Sequence, residues 1–385
     1  MINSQPICSG DNIIPLVEMK QVPVHCNVLW PTQDEALAAP RGDIRLGYFP
    51  NCGHIFNLDF DPSLMAYTQE YENSLHFSPR FQQYATALAE RLIADYNLHD
   101  KDIVEIGAGK GDFLIMMAEM GNNRGWGFDP SYVPDEAYSS EKVTFVLDFY
   151  SEKYTNYKAD MITCRHVLEH IETPDAFIET VRRAVGSRKE TIVFFEMPNA
   201  LFTLKRGGIW DIIYEHCSYF TPQSLTYLFE KHGFEVLAVN EVFEGQFLTI
   251  EAKPADETAV STPNTTSLTQ DAATFADSYQ NKVDHWKAIL QGIKDGGKTA
   301  VIWGTGSKGV TFLNVLDPER IIQYAVDINP RKQGKFVGGT GQEIVSPDFL
   351  ATYRPDVVII MNANYKDEIG KMLQERGISA EILLA

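Results

Sequence analysis

The stretch Ile103-Val-Glu105-Ile-Gly107-Ala-Gly109-Lys-Gly111-Asp-Phe113 decides the fold. A short apolar run ends in an acid and breaks into three alternating glycines. It then opens on FLIMMAEMG, a helix-like segment. A strand feeding a glycine turn and then a helix is the opening unit of a parallel α/β sheet. Glycines at that turn let the backbone bend tightly and let a ligand approach with no Cβ in the way. GWGFDP places Asp129 at the end of the next strand, 22 residues after Gly107. A carboxylate there suits a ribose diol. One strand later FVLDFY supplies Asp148 and Phe149, an acid to bind an adenine amine and an aromatic to cover its face. The alternative for Asp129 and Asp148 is a pair of acidic strand caps.

Outward from this turn the alternation continues. Tyr84, Leu88, Leu92 and Ile93 recur at helical spacing before it, and DMITCRHV, TPDAFIETVRRAV and TIVFFEMP follow it. That is the pattern of βαβ units in a doubly wound sheet. Residues 255–275 are rich in Ser, Thr, Ala and Asp with no apolar period, and read as a linker. A second βαβ series then runs from TAVIWGTGSKG to AEILLA. Pro6, Pro15, Pro23, Pro31, Pro40 and Pro50 punctuate the start, so residues 1–80 read as a small loop-rich module. The expected class is α/β. A module over 1–80 precedes a doubly wound domain over 81–254, a linker over 255–275 and a second Rossmann-like domain over 276–385.

Composition narrows the function classes. Of 385 residues, 44% are hydrophobic and 22% charged, which excludes a disordered or fibrous chain. Asp and Glu number 52 against 33 Lys and Arg, a net charge of −19. This disfavours nucleic acid and anionic membrane surfaces as partners. The cysteines, Cys8, Cys26, Cys52, Cys164 and Cys217, are few and odd in number, so no disulfide framework is expected. MINSQPICSG has neither the basic nor the apolar part of a secretion signal, and no run of about 18 apolar residues occurs. The expectation is a soluble cytoplasmic protein with reduced thiols.

The catalytic candidates lie past the strand ending Glu196-Met-Pro198-Asn199, at the sheet end that lines ligand crevices. The segment Tyr214-Glu215-His216-Cys217-Ser218-Tyr219 sits just ahead of a helix that Thr221 would cap and Pro222 would begin. A histidine flanked by an acid and phenols suits a general base near neutral pH, with the acid orienting it or stabilising its charged form. The alternative is a loop histidine satisfied by backbone. Glu169 and His170 read as a solvated first helical turn.

The form E-x-G-x-G-x-G resembles motif I of class I S-adenosylmethionine-dependent methyltransferases. The resemblance implies that Glu105, Gly107, Gly109 and Gly111 hold the methionine end of the cofactor, Asp129 its ribose, and Asp148 with Phe149 its adenine. CRHVLEHI resembles the stretch after motif II, which implies that His166 lies along the cofactor. Y-E-H-C-S-Y-F-T is similar to the EHxSYF motif of the sugar C-methyltransferase family, which methylates a carbon beside a ketone in nucleotide-linked sugars. That family joins a zinc-binding module, a methyltransferase domain and a Rossmann-like C-methyltransferase domain. The resemblance implies S-adenosyl-L-methionine as cofactor and a nucleotide-linked sugar as small-molecule substrate. It implies His216 as catalytic base beside Glu215, no nucleic acid or membrane partner, and a monomer or weak dimer. The family's tyrosine two residues before the glutamate is Ile213 here, and Tyr214 is displaced by one place as a third catalytic candidate.

IWGTGSKGVTFLNVL, YAVDINPRKQGKFVGGT and IVSPDFL resemble the family's last domain, which closes on substrate with Lys308 in reach of a phosphate. Read alone, Gly304-x-Gly306-x-x-Gly309 with Asp327 18 residues beyond is a dinucleotide fingerprint. A nicotinamide-dependent oxidoreductase is therefore a rival reading, and a non-catalytic protein with a vestigial methyltransferase fold is another. The family holds zinc through paired Cys-x-x-Cys sites. Here only Cys8, Cys26 and Cys52 remain, with His25 and His54 close by and Phe49 in a pairing position, so no metal ligands are assigned. YTQEYENSLHFSP is similar to the segment that covers cofactor and substrate, making Tyr71 a cofactor contact and Ser74 and His76 further candidates, or else an exposed connecting loop. The family's Gly-Gly-Ser turn reads Gly245-Gln246-Phe247 after Glu244, which leaves the acceptor open.

Overall fold

A computed structural model describes residues 7–8, 12–65, 71–72, 74–134, 139–257, 259–316 and 319–385. The chain opens with an antiparallel pair, β1 (Ile14–Pro23) and β2 (Arg41–Phe49), with α1 (Gln33–Leu37) between them; β3 (His54–Asn57) pairs the far side of β2. A three-stranded antiparallel core, joined by loops, therefore organises the described part of residues 1–80. Ile44, Leu46 and Tyr48 face the core while Asp43 and Arg45 alternate with them, the period of a half-buried strand. Pro15 and Pro23 sit at or next to the ends of β1, where a missing N–H costs least.

The second layer is the doubly wound sheet expected from the glycine turn. In order come α2 (Pro79–Asp95), β4 (Asp102–Ile106), α3 (Asp112–Gly121), β5 (Arg124–Phe128), β6 (Val143–Val146), β7 (Met161–Arg165), α4 (Pro174–Val185), β8 (Ile192–Pro198) and α5 (Ala200–Arg206). Then follow β9 (Ser218–Tyr219), α6 (Pro222–Lys231), β10 (Phe234–Val242) and β11 (Phe247–Pro254). Seven strands lie in the order β10-β11-β8-β7-β4-β5-β6. The five from β6 to β8 are parallel, and β11 runs antiparallel to β8. Strand order reverses between β4 and β7, and the crevice outside their carboxyl ends is where such a sheet binds ligands.

β9 leaves this sheet. It pairs antiparallel with β3, Ile55 opposite Tyr219 and Phe56 opposite Ser218. The catalytic candidate segment is thus the edge strand of the N-terminal sheet, and the first module and the methyltransferase-like unit are not separate bodies.

The last unit holds α7 (Thr266–Asp295), β12 (Ala300–Trp303), α8 (Ser307–Leu316), β13 (Tyr324–Val326), β14 (Glu343–Val345), α9 (Leu350–Tyr353), β15 (Val357–Ile360), α10 (Lys366–Glu375) and β16 (Glu381–Leu384). Its sheet, β14-β13-β12-β15-β16, is wholly parallel. The expected linker is shorter than 255–275, because α7 begins at Thr266. Leu268, Ala272 and Phe275 are buried at i, i+4 and i+7, a helical stripe too sparse to show amid Ser and Thr. One apolar cluster joins Leu16 and Tyr48 of the N-terminal sheet, Trp210, Phe275 of α7, and Phe312 and Ile359 of the last unit.

The thiols also differ from expectation. Cys8 and Cys52 form a disulfide, their Cα atoms 6.3 Å apart, while Cys26, Cys164 and Cys217 are buried and free. A count of cysteines cannot foresee a pair that the fold brings together over 44 residues. No helix among the described residues is long and apolar enough to cross a membrane.

Candidate active site

A cavity of about 360 Å³ opens at the carboxyl ends of β4 and β7. One wall is the first glycine turn. Gly107 and Gly109 hold φ of +69° and +56°, the left-handed region. A Cβ on Gly107 would come within 2.1 Å of Val167 Cγ2, whereas one on Gly109 would meet nothing within 4 Å and would stand in open space. Gly111 caps α3 at φ +88°. Glu105, 3% exposed, leaves Oε2 buried without a hydrogen-bond partner among the described residues, and burial pushes its pKa up to about 8 against the pull of Arg165. A buried, unpaired carboxylate oxygen at a glycine cradle is suited to an ammonium group of a ligand.

Asp129 closes the turn from beneath. Its Oδ2 accepts from Gly109 N–H at 2.8 Å, and its Oδ1 accepts from Ser131 N–H and Oγ–H at 2.7 and 2.6 Å. Asp148 accepts from Tyr154 Oη at 2.6 Å and Lys153 Nζ at 3.1 Å. These contacts hold its pKa below the usual carboxylate range, Tyr154 contributing most. Phe149 is 59% exposed, and Phe149, Asp148, Asp129 and Gly111 are not among the described residues lining the cavity.

β7 delivers Arg165 and His166. Arg165 donates to Glu196 Oε1 at 2.8 Å, and Tyr84 donates to Glu196 Oε2. Burial would raise the pKa of Glu196, but Arg165, His166 and Tyr84 outweigh it and bring it down to about 2. His166 takes φ +55°, its N–H held by the Glu196 carbonyl at 2.7 Å and its Nε2 2.9 Å from Glu196 Oε1. This ionised network fixes the histidine against the cavity.

The next turn departs from expectation. Glu169 and His170 are not a solvated helical turn. They lie in a 3₁₀ turn, Leu168–His170, that faces the cavity, with Glu169 2% exposed. Burial raises the pKa of Glu169 to about 8, so its carboxyl is protonated at neutral pH. The ring of His170 stands edge-on to that of His216, centroids 4.8 Å apart. Nothing in one sequence tells a surface acid from this one; the apolar strand just before it is the only hint.

His216 lines the cavity, and its Nδ1 is buried with no hydrogen-bond partner among the described residues. Burial first, then the charges of His170, His166 and Lys308, hold its pKa well below the ordinary histidine value. Glu215, wholly buried, does not reach it. Its Oε1 accepts from Cys26 N–H at 2.5 Å and lies 3.8 Å from His25 Nδ1, while its Oε2 accepts from Tyr71 Oη at 2.5 Å. Burial opposes ionisation, yet His25, His170, Tyr71 and the Cys26 N–H together lower its pKa. Cys26 and His25 therefore brace the catalytic segment and do not join Cys8, Cys52 and His54 in one metal cluster. Tyr71 lines the cavity but spends its phenol on Glu215. Tyr214 is turned away. Its hydroxyl accepts from Asp61 N–H at 2.8 Å and its ring fills the space beside Gly42, while Ile213 takes the cavity wall. Adjacent residues on an extended segment face opposite ways, and the shift of one place sends this phenol into the core.

The segment after Tyr71 covers the cavity: Ser74 and His76 line it, and Ser74 Oγ donates to Asp112 Oδ2 at 3.3 Å. Residues 67–70 and Asn73 of this segment lie outside the described residues. The far wall is the second glycine turn. Lys308 faces the cavity in an ion pair with Asp211. Asp327 spends its carboxylate on its own turn, accepting from Thr305 N–H at 3.1 Å, Thr305 Oγ1 at 2.5 Å and Asn329 N–H at 2.9 Å. Lys332, 7% exposed, reaches Asn27 Oδ1 at 3.3 Å on the N-terminal side.

Residues 77–239 match the model of a methyltransferase domain, and residues 255–380 match that of a C-methyltransferase C-terminal domain. The chain is 26% identical over 309 residues to C-methyltransferase NovU of Streptomyces niveus, covering 74% of this chain and 72% of that one. The chain is an S-adenosylmethionine-dependent C-methyltransferase related to NovU. Solved structures similar to this C-methyltransferase include magnesium protoporphyrin IX methyltransferase from Synechocystis with bound SAH. That match has 18% identity and a TM-score of 0.36, over 46% of this chain and 84% of that one. Another is an S-adenosylmethionine dependent methyltransferase from Mesorhizobium loti, at 15% identity and TM-score 0.34 over 44% and 99% of the two chains. S-adenosylmethionine is the cofactor of this C-methyltransferase, and the unpaired Glu105 Oε2 beside the open cradle at Gly109 fits its ammonium end.

Proposed function

We propose that the acceptor is a carbon beside a ketone in a nucleotide-linked sugar, and that His216 is the base that deprotonates it. One observation carries the reading. The neutral imidazole of His216, its buried Nδ1 without a hydrogen-bond partner among the described residues, lines the same cavity as the turn of Glu105 and Gly107 and as Lys308 and Lys332, which lie beside Asp211 and Asp327. Bound S-adenosylmethionine supplies an electrophilic methyl group on a sulfonium. The chain must make and aim a carbon nucleophile.

His216 takes the proton from the carbon. A depressed pKa keeps the imidazole neutral and ready to accept it at pH 7. The protonated Glu169 carboxyl on the same wall donates a hydrogen bond to the enolate oxygen, a role that Ile213 and the inward Tyr214 leave vacant. Glu215 acts at one remove, as an ionised brace that holds Tyr71 and Cys26 against the segment. Lys308 and Lys332 supply positive charge for the diphosphate of the acceptor.

Replacing His216 with alanine tests this. Turnover is expected to fall by about 10²–10⁴-fold, the usual worth of general base catalysis, with cofactor affinity by calorimetry unchanged. Equal turnover in the variant would move the base elsewhere.

A further inference from the structure

Glu169, His170 and His216 bring one ligand atom each to within 4.8 Å of one another, at the floor of the cavity. Two of these groups carry buried atoms with no hydrogen-bond partner among the described residues, Glu169 Oε2 and His216 Nδ1. The third is prepared differently. His170 Nδ1 lies 3.1 Å from the backbone carbonyl of Glu215, an acceptor only. That nitrogen must therefore carry the proton, and Nε2 keeps the lone pair. A histidine whose second nitrogen is pinned by a carbonyl is the usual support of a metal-bound imidazole.

We propose that Glu169, His170 and His216 form a binding site for a divalent transition-metal ion. Two imidazoles and one carboxylate are borderline donors. They suit Zn²⁺, Co²⁺ or Ni²⁺, not Mg²⁺ or Ca²⁺, which prefer oxygen ligands alone. Three protein ligands leave a fourth position open toward the cavity. The ion uses the lone pair that deprotonation of the acceptor needs, so the metal-loaded protein and the catalytic one exclude each other. The binding site itself does not rest on the role proposed for His216.

Cobalt reports on such a site directly. The full-length protein is titrated with CoCl₂ and followed by visible absorption. The expected result is one equivalent with the d–d bands of a four- or five-coordinate nitrogen–oxygen site, displaced by Zn²⁺ and untouched by Mg²⁺. Glu169→Gln and His170→Asn should each weaken Co²⁺ binding by at least about tenfold. Retained S-adenosylmethionine affinity shows that each variant is folded. Unchanged Co²⁺ affinity in both folded variants overturns the site, as does a thiolate-to-cobalt charge-transfer band in place of the nitrogen–oxygen spectrum.

Discussion

Glu105 shows what a single side chain decides here. A wholly buried acid with one unpaired oxygen is costly unless a ligand completes it. Glu105→Gln should fold, since the amide is as neutral as the protonated acid, but it should lose the charge-assisted bond to the cofactor ammonium. We expect S-adenosylmethionine affinity by calorimetry to fall by about tenfold or more, the worth of one hydrogen bond to a charged group. Unaltered affinity would remove Glu105 from the cofactor site. Acidity follows from the same burial. His216 lies well below the ordinary histidine value and Glu169 at about 8. His216 must be neutral to act, so kcat at saturating cofactor should hold as pH falls through 6.5 and decline only below it. Glu169 must be protonated to act, so kcat should decline as pH rises through about 8. In Glu169→Gln the alkaline limb should disappear, and its persistence would assign it to another group. At this scale the sequence was informative about residue type and position: Glu105, the glycines and His216 stand together at the crevice. Orientation was not legible. Tyr214 and Ile213 differ by one place, and only the backbone path decides which faces substrate. The carboxylate of Glu215 turned toward Cys26 and Tyr71, residues distant in sequence.

Among the elements, the parallel sheets were legible because their strands are continuous aliphatic runs ending in glycine or acid. β1 and β2 were hidden by the prolines at their ends, and residues 266–275 of α7 by their low apolar content, whereas SYQNKVDHWKAILQGIK, the rest of that helix, reads as amphipathic. α7 binds the N-terminal sheet to the last domain through Leu268, Ala272 and Phe275. Phe275 is 2% exposed. Phe275→Ala should cost about 3–5 kcal/mol in urea unfolding, the range for emptying a buried phenylalanine site. A loss within about 0.5 kcal/mol would return residues 266–275 to the status of a surface linker. β9 has a different use. By pairing with β3 it fixes the strand next to His216 to a rigid edge, and the Tyr219 hydroxyl accepts from the Ile213 N–H at 3.1 Å.

For the molecule as a whole, the cavity that Glu105 and His216 line exists because three units meet. The methyltransferase sheet supplies the cofactor turn, and the N-terminal sheet holds the segment of His216. The last domain closes the far side, where Asn362 and Asn364 each donate to Gln246 Oε1, at 3.0 and 3.1 Å. The second glycine turn has the spacing of a dinucleotide site, and Asp327 holds it through Thr305 and Asn329 much as Asp129 holds the first through Gly109 and Ser131. The central claim is that this shared cavity uses His216 to take a proton from a carbon beside a ketone. Exchange of that proton with solvent tests it most directly, because it needs no methyl transfer. With S-adenosylhomocysteine present, a nucleotide-linked ketosugar in D₂O is followed by NMR. The wild-type protein should exchange the hydrogen beside the ketone, and His216→Ala, still binding S-adenosylhomocysteine, should do so at least about 10²-fold more slowly. Exchange by the variant at the wild-type rate would contradict the claim.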